Sequence, residues 1–137
     1  MRVLVDTSVW AEFFRSRPSI PRAVIETLRT LIEDDRVVTL LPIEAEVLSG
    51  RLRRDREADV RRAFGAIEHI DLDWNARTTW ERIVEIVRAA QDADLPMTGI
   101  VDRMVLVAAE TRGVSLWTLD DRLVRLATAR GVAVFVA

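Results

Sequence analysis

Val3-Leu4-Val5-Asp6-Thr7-Ser8-Val9-Trp10 reads as a short strand that ends on a carboxylate and turns at once into a helix. Three consecutive aliphatic residues without alternation fit a strand covered on both faces, the habit of parallel sheets clothed in helices. An acid directly after such a strand is costly to bury unless something positive meets it. Outward from this stretch, short apolar runs recur. The strands expected are Arg2–Val5, Val37–Leu41, Ile67–Leu72, Ser115–Thr118 and Ala133–Val136. Helical patterns separate them at Val9–Phe14, Pro21–Asp34, Ile43–Arg54, Ala58–Ala66, Trp74–Gln91, Gly99–Arg112 and Asp121–Arg130. Such alternation is the mark of βαβ units. The expectation is an α/β fold: one domain over residues 1–137, with a central, mostly parallel five-stranded sheet flanked by about seven helices. In the long helix, Trp80, Ile83, Val84 and Val87 have the spacing of one buried face. Gly113 and Gly131 stand where helix C-termini favour a left-handed residue.

Composition prunes the chemistry. The chain has no Cys and no Lys, and His69 is its only imidazole. A thiol nucleophile, a thiolate zinc site and lysine-based catalysis are therefore excluded. His69, in Ile67-Glu68-His69-Ile70, reads as a structural residue at the entrance to a strand. What remains in quantity is carboxylate, suited to acid/base work and to hard cations. The formal net charge of −2 would become +2 with two divalent ions bound, which permits a polyanionic substrate. No apolar run approaches the roughly 18–20 residues of a membrane span. The opening Met1–Val5 is too short for a signal-peptide core, so a cytoplasmic protein is expected.

Ligands of open parallel sheets bind at the carboxyl ends of the strands. Asp6 follows the first strand directly and Asp120 follows the fourth by two residues, so the two acids are expected on one edge. Helix capping is the competing explanation for each. Thr118 and Asp121 have capping-box spacing, and Thr7 and Ser8 supply caps that leave Asp6 without that role. Asp102 lies early in the helix running into Met104–Ala109. Its distance from Thr98 is one residue too long for a capping box, and Ala108 and Ala109 allow close approach to the sheet. Glu44 and Glu46 point about 200° apart on their helix, and the helical wheel does not choose between them. Glu12, Asp92 and Asp94 read as solvated surface acids.

Taken together, these residues resemble PIN domains, in particular VapC-type toxin ribonucleases of bacterial type II toxin–antitoxin systems. The opening block Val3–Trp10 is one match. Glu46-Val47-Leu48-Ser49-Gly50 resembles the family's Glu-x-x-x-Gly helix and selects Glu46 over Glu44. Asp102 through Gly113 resembles its third block, and Leu116-Trp117-Thr118-Leu119-Asp120-Asp121 its Thr-x-Asp block. The resemblance spans nearly the whole chain. It implies that Asp6, Glu46, Asp102 and Asp120 are catalytic acids binding one or two Mg²⁺ ions, with Mn²⁺ an alternative. Thr7, Ser8 and Thr118 would orient those acids or position a water. Asp121 stands where a basic residue is common, which leaves open whether it also touches the metal.

The implied activity is hydrolysis of RNA phosphodiester bonds by metal-activated water, leaving a 5′-phosphate and a 3′-hydroxyl. The implied partners are an RNA substrate, a VapB-type antitoxin and a second copy of the chain in a homodimer. Arg15, Arg51, Arg53, Arg54, Arg112 and Arg122 are candidate RNA contacts, because the guanidinium fork suits phosphate. For the arginine-rich stretch 51–62 the rival reading is a solvated helical face laced with ion pairs. Trp10, Phe13 and Phe14 crowd one short helix and fit either core packing or a partner groove. Two other functions compete. A phosphoacceptor signalling domain would want a lysine beside its acids, and this chain has none. A non-catalytic PIN-like interaction module would not need all four acids, and all four are present.

Overall fold

The computed structural model describes residues 1–50 and 52–137. Four parallel strands make the sheet: β1 (Val3–Val5), β2 (Val37–Thr39), β3 (Glu68–His69) and β4 (Ser115–Trp117). Their spatial order is β3-β2-β1-β4, with Leu4 opposite Val38 on one side and Leu116 on the other. All three residues of β1 are fully buried, as a strand covered on both faces requires.

Seven α-helices fill the connections among the described residues. They are α1 (Thr7–Phe13), α2 (Arg22–Glu33), α3 (Leu41–Ser49), α4 (Glu57–Gly65), α5 (Arg77–Asp92), α6 (Ile100–Arg112) and α7 (Asp121–Ala129). A 3₁₀ turn, Arg54–Arg56, precedes α4. Gly113 ends α6 with a φ of 64° and Gly131 follows α7 with a φ of 75°, the left-handed conformation that glycine adopts without strain. No helix among the described residues is long and apolar enough to cross a membrane.

The fifth expected strand is reduced to a single parallel bridge between Leu116 and Val134. Leu116 N donates to Ala133 O at 2.8 Å and Phe135 N to Leu116 O at 2.8 Å. Beyond Phe135 the chain finds no apolar surface: Val136 is 84% exposed, and the ladder stops.

The buried face of α5 also differs from expectation. Ile83, Ile86 and Ala90 face the core, whereas Trp80 and Val84 are exposed. The expected stripe took in the larger side chains of the helix. Packing against α6 selects a stripe rotated toward Ile86 and Ala90, where a small residue allows approach. The aromatic cluster of α1 belongs to the core, with Trp10 wholly buried between Phe14 and Phe64.

The strand order places a topological switch point beside β1. From β1 the chain moves outward through β2 and β3, then returns to place β4 on the other side. The crevice between the carboxyl ends of β1 and β4 is where open α/β sheets hold ligands.

Candidate metal centre

Asp6 lies in that crevice. Its backbone N–H continues the sheet by donating to Trp117 O at 2.9 Å, which fixes the residue between β1 and β4. The side chain is buried, with only 3% of the residue exposed. Oδ2 accepts from Ser8 Oγ at 2.8 Å and from Thr118 Oγ1 at 2.7 Å. Oδ1 is buried and has no hydrogen-bond partner among the described residues. A buried carboxylate oxygen facing no donor is the kind of atom that a cation satisfies.

The hydroxyls around Asp6 do not cap helices. Asp6 stands at the N-cap of α1 without a side-chain capping bond, and Thr7 and Ser8 turn to carboxylates instead. Thr7 Oγ1 donates to Glu46 Oε1 at 2.6 Å. Ser8 Oγ also receives the Leu119 N–H at 3.0 Å, which ties the start of α1 to the loop before α7. Thr118 Oγ1 receives the Asp120 N–H at 3.1 Å, so one hydroxyl links Asp6 to the Asp120 backbone.

The two glutamates of α3 separate. Glu46 goes to Thr7, whereas Glu44 turns to His69, with Oε2 and Nε2 3.4 Å apart. His69 sits in β3 beside Ile67 O and has the structural role expected of it.

Asp102 enters from α6, where it is the third residue and accepts from the Gly99 N–H at 3.3 Å. The N-cap is therefore Gly99. Spacing measured from Thr98 concealed this half of a capping box, because glycine offers no side chain to complete it. The Asp102 carboxyl is pushed up to about 6, by burial first and then by the negative charges of Asp6, Asp120 and Glu46. Carboxylates from the end of β1, α3 and the turn after β4 thus all raise the cost of a charge on Asp102 in α6.

Asp120 does two further things. It is the N-cap of α7, its Oδ1 accepting the Arg122 N–H at 2.9 Å, which corrects the expected Thr118–Asp121 capping box. It also holds the Arg122 guanidinium, with Nη2 at 3.1 Å from Oδ2, and this contact keeps its carboxyl below the usual range. Arg122 is thus the counter-charge of an acid in the pocket. Asp121 is exposed and is not among the acids whose charge reaches Asp102.

As they stand, no three acidic or imidazole groups among the described residues are drawn together closely enough to hold an ion. Asp120 is occupied by Arg122, and Glu46 by Thr7. Both contacts involve side chains that rotate, whereas Asp6 and Asp102 are set by the strand and the helix. The donor set consists of hard carboxylate oxygens, as Mg²⁺ or Mn²⁺ requires.

The candidate arginines scatter. Arg112 ends α6, about 15 Å along the helix from Asp102, and donates to Asp71 O at 2.6 Å. It lies at the amino-terminal edge of the sheet, beside the start of β4, and is no part of this pocket. Arg53 pairs with Asp55, Arg61 with Glu57 and Arg62 with Asp59, so much of the arginine-rich stretch is the ion-paired helical face. Arg54 is exposed, and Arg51 lies outside the described residues. Arg15 pairs with Glu12 at 2.9 Å. Glu12 itself is no solvated surface acid. Burial opposes its ionisation, yet hydrogen bonds from Ser19 and Arg15 hold its carboxyl below the usual range.

Residues 3–129 match the sequence profile of the PIN domain. Ribonuclease VapC11 of Mycobacterium tuberculosis is 30% identical to this chain over 112 residues, 81% of this chain and 81% of that protein. The VapC ribonuclease Mb1587 of Mycobacterium bovis matches equally, 30% over 112 residues and 81% of each chain. Among solved structures, FitAcB from Neisseria gonorrhoeae superposes with a TM-score of 0.69 at 21% identity, over 98% of this chain and 96% of that one. VapBC2 from Rickettsia felis, solved bound to a DNA fragment from its promoter, gives a TM-score of 0.70 at 14% identity over 98% of both chains.

Proposed function

The chain belongs to the PIN domain family, and from that membership we propose that it is a Mg²⁺- or Mn²⁺-dependent endoribonuclease serving as the cytoplasmic toxin of a toxin–antitoxin pair. The observation that carries the chemistry is the Asp6 carboxylate. It is buried at the switch point, one of its oxygens has no hydrogen-bond partner among the described residues, and the Asp102 carboxyl is raised by burial first and then by the charges of Asp6, Asp120 and Glu46. The VapC ribonucleases it resembles supply the substrate class. The FitAcB and VapBC2 structures that share its fold favour an antitoxin of the VapB type as partner, and the homodimer rests on the family resemblance alone.

In this reading Asp6, Glu46, Asp102 and Asp120 hold one or two ions. A divalent ion held there would supply water activated at neutral pH and charge neutralisation at the phosphate. The protein does the rest. Ser8 and Thr118 fix the Asp6 carboxylate by its Oδ2, so that Oδ1 is presented to the pocket in one orientation. Thr7 holds Glu46 against the start of α1. Arg122 pairs with Asp120 and so places a guanidinium, suited to an RNA phosphate, beside the carboxylates.

The test is a calorimetric Mn²⁺ titration of the antitoxin-free chain beside Asp6→Asn and Asp102→Asn. Binding that weakens sharply in both variants establishes one site shared by β1 and α6. Absence of binding at millimolar Mn²⁺, or equal binding in the variants, overturns the metal reading and leaves a PIN-like interaction module.

A further inference from the structure

Asp6, Glu46 and Asp102 accept hydrogen bonds from hydroxyls or a backbone N–H. Among the described residues, Asp120 alone of the four acids is paired with a cation, the Arg122 guanidinium two positions along the chain. Arg122 wraps the carboxylate. Its backbone N–H donates to Oδ1 at 2.9 Å, its Nε to the same oxygen at 3.3 Å and its Nη2 to Oδ2 at 3.1 Å. One residue thus engages both oxygens of a proposed metal-binding acid.

The pair is easily parted. The backbone bond belongs to the first turn of α7, but the guanidinium arrives on a side chain that is 59% exposed. Exposed pairs hold weakly, because water screens them and their side chains lose freedom. Arg122 also faces a second acid. Its guanidinium is held above its ordinary range by the Asp120 hydrogen bond first, then by the charge of Asp120, and further by that of Asp102.

Each half of the pair has a counter-ion outside the chain. A carboxylate oxygen is a hard ligand for a divalent cation. A guanidinium fork fits the two free oxygens of a phosphodiester. Removing either half leaves the other unpaired beside the remaining acids. The two exchanges therefore reinforce one another, and by linkage the effect is equal in both directions.

We propose that Arg122 and Asp120 form an exchange pair, in which the guanidinium competes with the metal ion for Asp120 and a phosphodiester draws it away, so that metal and substrate anion bind cooperatively. The inference rests on the metal-dependent ribonuclease reading. It adds that the chain's own arginine keeps the centre weakly loaded when no substrate is present.

The experiment is a calorimetric Mn²⁺ titration at constant ionic strength, with and without saturating dimethyl phosphate, a phosphodiester that carries neither base nor ribose. Arg122→Ala and Arg122→Gln are titrated beside the wild-type chain. Without the phosphodiester, both variants are expected to bind Mn²⁺ about two- to five-fold more tightly than wild type, the range of an exposed ion pair. Dimethyl phosphate is expected to raise the wild-type affinity toward that of the variants and to leave the variants unchanged. By NMR, saturating Mg²⁺ should move the Arg122 Nε–H resonance, while that of Arg53, paired with Asp55, stays in place. Equal affinity in wild type and variants, no gain from dimethyl phosphate in wild type, or an Arg122 Nε–H that does not move would overturn the exchange. An equal gain in the variants would mean that the anion meets the ion directly and that Arg122 takes no part. In each of those cases wild type still binds the ion and the metal reading stands, whereas absence of binding in every chain removes both.

Discussion

With its carboxyl pushed up to about 6, from an ordinary 3.8, Asp102 binds a proton more tightly in the folded chain than in the unfolded one. The sign follows: between pH about 4 and 6 the folded state holds more protons, so its stability falls as pH rises, and above 6 the whole penalty is present. Asp102→Asn removes that penalty. In EDTA at pH 7.5 the variant is expected to melt a few degrees above wild type. This corresponds to about 1 kcal/mol, because Asp102 is only half-buried and solvent screens part of the shift. The same variant should lose Mn²⁺ binding. Melting below wild type in EDTA would mean that burial and the neighbouring acids do not together oppose the charge on Asp102. A second pair of variants separates the glutamates: Glu46→Gln should abolish metal-dependent RNA cleavage, whereas Glu44→Gln, which faces His69, should stay near wild type.

At the scale of the element, α7 and the proposed metal centre share one residue. Asp120 caps the helix through Oδ1 and contributes charge to the pocket. Asparagine caps as well as aspartate, whereas alanine does not cap, at a cost of about 1 kcal/mol. Asp120→Asn should therefore keep its stability within a few tenths of a kcal/mol yet bind Mn²⁺ weakly, and Asp120→Ala should lose both; chemical denaturation beside calorimetry distinguishes them. Arg122→Ala leaves Asp120 without its cation and should tighten Mn²⁺ binding several-fold, since the ion no longer competes with a guanidinium. The helix α6 has a comparable double role. Ala108 and Ala109 are wholly or almost wholly buried, and this allows α6 to lie close enough to the sheet to bring Asp102 to Asp6. Ala108→Leu should destabilise by about 1–3 kcal/mol through overpacking.

Across the whole molecule, the proposed site draws on four segments that are distant in sequence. An ion that binds those segments when folded and not when unfolded stabilises the fold by mass action, about 2.7 kcal/mol at a hundred times its dissociation constant. Mn²⁺ should therefore raise the Tm of the wild-type chain in proportion to the logarithm of its concentration, measured by differential scanning fluorimetry. The effect should vanish in Asp6→Asn. An equal rise in that variant would place the ion elsewhere. The core that carries this assembly is continuous through Trp10, whose replacement by alanine is expected to cost about 3–5 kcal/mol.

Much of this architecture is legible in the chain itself, because it is written in local patterns. The unbroken aliphatic runs declare a buried parallel sheet, the helical periods separate its strands, and Asp6 directly after Val5 declares an acid at a sheet edge. Those features depend on neighbours within a few residues, so they survive being read in one dimension. Strand order does not. That β4 lies beside β1, making a switch point between Asp6 and Asp120, is decided by packing over more than a hundred residues. Cap assignments at Gly99 and Asp120, the rotation of α5 and the assignment of Glu44 to His69 were likewise settled by which surfaces meet. So was a pocket lined by Arg15, Arg53 and Arg56, which come from the residues just after α1, the N-cap of the 3₁₀ turn and the turn itself. Side chains of one type are interchangeable on the page; burial and the nearest opposite charge tell them apart, and both exist only once the chain has closed on itself.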